Sequence, residues 1–316
     1  MPLPRTTWVG VFSHLQGSVI LSIWPKVAVC SAFAFAVSLA QLNGLQMSWP
    51  VEGSIVPTLV LGLLLVFRTN TAYERFWEGR KAWGTLINTS RNLVRLMVVA
   101  ISDSAPDAAS NPQKFEPETL EHARREKREA LRLVAAYSYG LKQHLRGEAI
   151  DPAVLPLVPP QLAVRLEKSP HVPLEIAFEL GSYFQKSFGK GRVSVYQLSD
   201  LHKLLDQLVD VLGICERILK TPVPMAYSIH LRQLLFIYCL TIPFVFVDEF
   251  GLWTAIVVGL VAFTVFGIEE IGLEIENPFG RDPNDLPLDG ICAGVKEHVE
   301  GVLRTPRLVE DVDTQL

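Results

Sequence analysis

A short apolar run, Val56 to Phe67, passes directly into Arg68-Thr69-Asn70-Thr71-Ala72-Tyr73-Glu74-Arg75, and no other stretch restricts the possible folds of this chain so much. No Pro or Gly intervenes between Arg68 and Gly79, while Glu74, Arg75, Glu78, Arg80 and Lys81 bring full charges. One helix is therefore predicted to begin in a membrane and end in water. Its apolar part holds about a dozen residues, against the roughly twenty that an independent span needs. Lipid cannot accept the charged continuation, so other protein must.

Leu59, Leu63 and Phe67 stand four apart, and at 3.6 residues per turn they line up along one slowly drifting stripe, with Gly62 and Val66 close by. Such a stripe has two readings. It is either a packing face against another membrane helix, with Gly62 allowing close approach, or an apolar constriction that passes or blocks ions by wetting and dewetting. Spacing alone leaves both open, packing being the commoner arrangement.

The remaining chain is that of a polytopic membrane protein with a sizeable soluble part: 49% of residues are hydrophobic and the mean hydropathy is +0.27. Charged residues are nearly absent from Val27 to Phe67 and from Leu234 to Ile268. A net charge of −4 without a basic stripe excludes nucleic acid as a partner. Cys30, Cys215, Cys239 and Cys292 lie far apart with no C-x-x-C pair, so they read as buried thiols. The histidines are scattered, and no metal-ligand spacing such as H-E-x-x-H occurs.

In chain order, residues 1–26 form an amphipathic segment along the membrane surface, with Trp8 and Trp24 at headgroup depth and Pro25-Lys26 closing its apolar part. Residues 27–102 hold the first span, Val27 to Leu42, an outer loop whose only charge is Glu52, and the second helix with its cytosolic extension. Arg5 and Lys26 before the first span, and Arg68, Arg75, Arg80 and Lys81 after the second, place both ends in the cytoplasm. Residues 103–231 form a cytosolic helical region: a loop from Asp103 to Pro117, a long helix from Glu116 to Arg146 with the run HARREKRE as a solvated face, short helices through the Pro-rich Asp151 to Pro173, and helices Leu174 to Phe188 and Gln197 to Lys220. Thr221-Pro222-Val223-Pro224 breaks back to the membrane. Residues 232–273 carry the third span, which contains Pro243 and ends near Val247, an outer turn at Asp248 to Gly251, and the fourth span, Leu252 to Ile268, ended by Glu269-Glu270. Residues 274–316 form a cytosolic C-terminal segment. The expected class is all-α, with four short transmembrane spans continuing into a cytosolic helical domain and several copies assembled as a ring, since one such helix cannot enclose a channel.

Three motifs carry a resemblance to a known family. FRTNTAYERFWEGRKAW, from Phe67 to Trp83, resembles the FR-N-x-x-Y-x-R-W-E-x-R-x-x-W signature of bacterial bestrophins. Asn277-Pro278-Phe279-Gly280 followed by Asp282 and Asp285 is similar to the family's second landmark, and Glu216-Arg217-Ile218 with Thr221 to Pro224 to its E-R-I-x-x-T-P-x-P pattern. The resemblance runs from Trp24 to about Asp289. It implies a homopentameric ion channel whose narrow neck is built from three apolar residues at four-residue intervals. Matching Arg75-Phe76-Trp77 to the family's Arg-Trp-Trp puts that neck on Leu59, Leu63 and Phe67, the residues of the stripe. Matching Gly213 and Pro224 puts a second, cytosolic aperture at Val195 or Tyr196. In eukaryotic members, consecutive acids after the second landmark help bind calcium. Here Arg281 and Pro283 interrupt them, which leaves Asp282, Asp285 and Asp289, the first two as weak metal candidates, and implies no tight site.

The sequence thus leads to a passive channel for small monovalent ions in the inner membrane, multi-pass, without cofactor. Glu52, Arg68 and Asn70 are candidate ion contacts. Glu52, Asp200, Asp206 and Asp210 lean towards cations, although family members of both charge selectivities are known. An enzyme lacks its parts, since Glu74, Glu78, Glu269 and Glu270 have no nucleophile or metal cluster beside them and are expected to pair with Arg75, Arg80 or Lys81. The alternative is a membrane-anchored helical scaffold or signalling protein whose stripe only packs.

Overall fold

The computed structural model describes residues 18–49, 55–103 and 117–305. The candidate Glu52, most of the amphipathic N-terminal segment, residues 104–116 of the expected loop and the tail from residue 306 lie outside the described residues. The described residues are mainly α-helical: α1 Ile20–Leu42, α2 Ile55–Ala100, α3 Pro117–Arg146, α4 Pro160–Lys168, α5 Val172–Gly189, α6 Val195–Lys220, α7 Met225–Phe250, α8 Thr254–Glu276 and α9 Leu288–Arg304. They divide into two compact units, one holding the chain up to Glu78 with Thr221–Asp285, the other holding Gly79–Lys220 and the chain from Leu286.

The first unit gathers the apolar helices. Ile23, Cys30 and Ala34 of α1, Leu61 and Leu65 of α2, Leu235 and Cys239 of α7, and Val258, Ala262 and Phe266 of α8 share one core. Small residues bring α1 and α8 together: a Cβ at Gly259 would sit 2.6 Å from Ser31 Oγ. Polar side chains fasten the remaining contacts, with Ser38 Oγ donating to the Gly251 carbonyl at 2.9 Å and the Tyr227 hydroxyl to that of Leu64 at 2.9 Å. Three stretches are long and apolar enough to cross a membrane: Ile20–Leu42, Val56–Ala100 and Met225–Glu276, the last containing both α7 and α8.

Two boundaries differ from expectation, and α8 continues beyond the expected end of its span. Pro25 lies inside α1 and does not end it; helices packed among others tolerate proline because surrounding groups can satisfy the freed backbone. The turn between α7 and α8 falls at Gly251–Trp253, after Asp248 and Glu249, where Gly251 takes a φ of +53° that favours glycine. Glu269 and Glu270 do not end α8, which runs on to Glu276. Glu269 is buried and paired with Arg232 Nε at 2.8 Å, and Glu270 accepts from Lys26 Nζ at 2.9 Å. Paired in this way, neither carboxylate needs open water.

In the second unit, α3 is amphipathic only at its start. From Leu133 to Gln143 every residue is buried, with α5 and α9 packed against it and the Tyr137 hydroxyl donating to the Leu208 carbonyl of α6 at 2.7 Å. The charged run HARREKRE is not simply a solvated face. Lys127 is buried, and its Nζ donates to the carbonyls of Val98 (3.3 Å) and Ile101 (2.7 Å) and to Asp103 Oδ1 (3.2 Å), capping the C-terminal end of α2. Glu126 accepts from Lys190 and Arg192, each at 2.9 Å. Helix α6 starts at Val195, earlier than the expected Gln197, because Ser194 and Gln197 form a capping box: the Ser194 amide donates to Gln197 Oε1 at 2.9 Å and the Gln197 amide to Ser194 Oγ at 3.4 Å. All four cysteines are buried and none is in a disulfide.

Candidate functional site

The first half of α2 has two faces set by helical phase. Leu61, Leu65, Arg68 and Ala72 recur at three or four residues and are buried, Arg68 to 1% exposure. Positions two apart on a helix lie about 200° round the axis from each other. Leu59 and Leu63 therefore point away from that core, with Phe67 beside them, and are 68%, 57% and 56% exposed respectively. Val56, Val60 and Val66 extend the same surface, and Tyr73 and Trp77 continue it along the helix. The stripe is thus left uncovered by the helices of its own unit. A contiguous apolar face of this kind needs lipid, another copy of the chain or a dewetted pore beside it.

Arg68 is not an exposed ion contact. Its Nη2 donates to Glu276 Oε2 at 2.5 Å, and its Nη1 is buried without a hydrogen-bond partner. Glu276 Oε1 accepts the Val223 amide at 2.8 Å, while Arg75 Nε reaches the Glu276 carbonyl at 3.1 Å and Arg75 Nη1 the Thr221 carbonyl at 2.5 Å. Two signature arginines, two helical turns apart on one face, thereby tie α2 to the end of α8 and to the Thr221 to Pro224 turn. This anchoring role was readable from phase, because Arg68 shares its face with Leu61 and Leu65.

The other candidates separate. Asn70 is exposed, and its Nδ2 donates to Glu74 Oε1 on the same helix at 3.2 Å. The partners expected for the acids were Arg75, Arg80 or Lys81. Glu269 and Glu270 take Arg232 and Lys26 instead, because these are the cations on the helices packed beside α8. Val195 and Tyr196, both exposed, occupy the first turn of α6, held by the Ser194 cap. Asp200 is offset by Lys203 at 3.0 Å, whereas Asp206 and Asp210 are exposed on the same helix.

Residues 277–285 form a turn that bonds to itself. Asp285 Oδ2 accepts the Asp282 amide at 2.7 Å, the Asp285 amide reaches the Asp282 carbonyl at 3.0 Å, and a Cβ at Gly280 would come within 2.6 Å of Asp285 Oδ2. Asn284 Nδ2 donates to Glu274 Oε2 at 2.5 Å. Asp289 is engaged elsewhere, accepting from Lys142 Nζ at 2.7 Å and Arg146 Nη1 at 3.1 Å, and the bond from Lys142 leads in holding its carboxyl below the usual range. A hard cation asks for six to eight oxygens, and here one of the two candidate carboxylates already caps the backbone.

The profile of the family described as "Bacterial/Fungal Bestrophin protein" matches residues 2–301. A voltage-dependent anion channel-forming protein of Synechocystis is 48% identical over 299 residues, covering 95% of this chain and 92% of that protein. One of Nostoc with the same description is 46% identical over 301 residues, covering 95% and 93%. Among solved structures, a bestrophin homologue from Klebsiella pneumoniae superimposes with a TM-score of 0.76 at 24% identity over 88% of this chain and 97% of that one, a likeness of fold.

Proposed function

The chain belongs to the bacterial and fungal bestrophin family, and on that premise we propose that it is a passive channel for small monovalent ions, built from five identical copies around one axis. In this reading α2 of each copy lines the axis, and Leu59, Leu63 and Phe67 stack into three apolar rings. The exposure of that stripe, directly opposite the buried Leu61 and Leu65, is the observation that carries it. An ion passing such a ring sheds part of its hydration, so ring width and wetting set the conductance. Val195 and Tyr196 form the second aperture at the cytosolic mouth. Helices α1, α7 and α8 and the first half of α2 make four crossings of the inner membrane, with both termini in the cytoplasm, as the positive residues beside the spans support.

It is not an enzyme: its relatives carry channel-forming names. Those names favour anions, whereas the exposed Asp206 and Asp210 favour cations. The self-bonded turn at Asp282 and Asp285 is read as structural, without a calcium requirement.

The test is current through the purified full chain in planar bilayers under a KCl gradient, where the reversal potential reads the charge sign. Leu63→Ala should raise single-channel conductance several-fold. A scaffold predicts no current from wild type or variant, and unchanged conductance in Leu63→Ala removes the neck assignment.

A further inference from the structure

His144, His171 and Glu216 lie far apart in the sequence, which is why no linear ligand spacing reveals them. The fold brings them together: their ligand atoms all lie within 4.8 Å of one another, the one such trio of metal-binding side chains found among the described residues. His144, in the last turn of α3, places Nε2 2.6 Å from Glu216 Oε1, and His171, just before α5, places Nε2 3.0 Å from the same oxygen. The two rings lie 4.2 Å apart at 32°. We propose that these three side chains form a binding site for a zinc-class divalent cation.

Two imidazoles and one glutamate carboxylate are a ligand set that zinc accepts, and three ligands leave a fourth position for water. Zinc holds such atoms at about 2.0–2.2 Å, so tetrahedral geometry sets them about 3.3 Å apart. Both histidine nitrogens therefore need to retreat from Glu216 Oε1 by less than about 1 Å. The His171 ring is free to do so. Its Nδ1 is buried with no hydrogen-bond partner, so Glu216 and the neighbouring His144 ring orient it. A metal takes Glu216 in its carboxylate form and the two histidines through unprotonated nitrogens, so binding releases the protons these groups share. Lys220 Nζ, one turn on, binds the other carboxylate oxygen at 3.2 Å. It leaves Oε1 to the metal but opposes the metal's charge.

The ion would join the end of α3, the start of α5 and the last turns of α6, immediately before the chain turns back at Thr221. Binding to the folded form alone stabilises it. The consequence is a metal-dependent melting temperature, whatever the current does.

The full chain without an affinity tag, stripped with chelator in detergent, is titrated with ZnCl₂ by calorimetry. One site per chain is expected. Glu216→Gln and His171→Ala should each weaken binding by at least about 100-fold, beyond the loss seen for residues that only support a ligand, and Lys220→Gln should tighten it. Absence of saturable binding, or equal affinity in the variants, overturns the site. Should the variants not fold, wild-type protein loaded with Co²⁺ decides the matter: intense visible bands of a tetrahedral ion support the site, and only the weak bands of an octahedral one reject it.

Discussion

Between Ile55 and Glu78, α2 turns Leu59, Leu63 and Phe67 outward, each more than half exposed, whereas between Gly79 and Ala100 it buries Trp83, Leu86, Leu93 and Met97. The helix is continuous over 46 residues, about 69 Å at 1.5 Å per residue. Its two halves are comparable in backbone and opposite in how their large apolar side chains are satisfied. The later half is fastened within its own unit, where Thr89 Oγ1 donates to Gln207 Oε1 of α6 at 3.3 Å and Lys127 of α3 caps its end. The earlier half offers only the Leu61 and Leu65 face to its own unit and leaves the opposite face for surroundings that one chain does not supply. The same residue type thus serves stability in one half and contact with the outside in the other.

The largest expected effect breaks the anchor that sets which face is outward. Glu276→Ala strands the Arg68 charge in a buried site and should cost about 3–5 kcal/mol, seen as loss of the monodisperse detergent-solubilised protein. Wild-type behaviour would mean that the anchor does not set the phase of α2. Next, Trp83→Ala should cost about 3–5 kcal/mol through the cavity it leaves, while Leu59→Ala should cost less than about 1 kcal/mol in the same thermal unfolding assay. Equal losses would erase the distinction between the halves. The smallest effect concerns the second unit alone. Burial pushes the Glu126 carboxyl up, but hydrogen bonds from Lys190 and Arg192 outweigh it and hold the carboxyl below the usual range. Its stabilisation is therefore present above the unfolded value of about 4.3 and is lost as pH falls through the lower folded value. Glu126→Gln should flatten the fall in melting temperature between about pH 5 and about pH 3; an unchanged slope would show that the ion pair contributes nothing.

Local signals made α2 legible in the sequence, because no helix breaker interrupts Arg68 to Glu78 and the four-residue spacing of Leu59, Leu63 and Phe67 persists whatever lies around it. Pro117 at the first turn of α3 and the Thr221 to Pro224 break were equally local. What escaped the sequence depended on partners distant in the chain. Lys127 reads as one more charge in a soluble run until the carbonyls at the end of α2 come within reach of its Nζ. Pro25 reads as a stop until α1 is packed among other helices. Glu269 and Glu270 read as partners for Arg75, Arg80 or Lys81 until Arg232 and Lys26 stand beside them. Arg68 stands between these cases: the phase that buries it was written beside Leu61 and Leu65, but its charge argued for water, and only the approach of Glu276 decides against that.

The sealed cysteines have a practical corollary. Cys30, Cys215, Cys239 and Cys292 show no accessible surface, and burial pushes the Cys292 thiol up to about 12, so a maleimide or spin label offered to the folded protein meets no native target. A lone cysteine engineered at Leu59 or Tyr196 then reports on that position against a silent background. The native thiols react only as the chain opens, which turns the same reagent into a clock for unfolding.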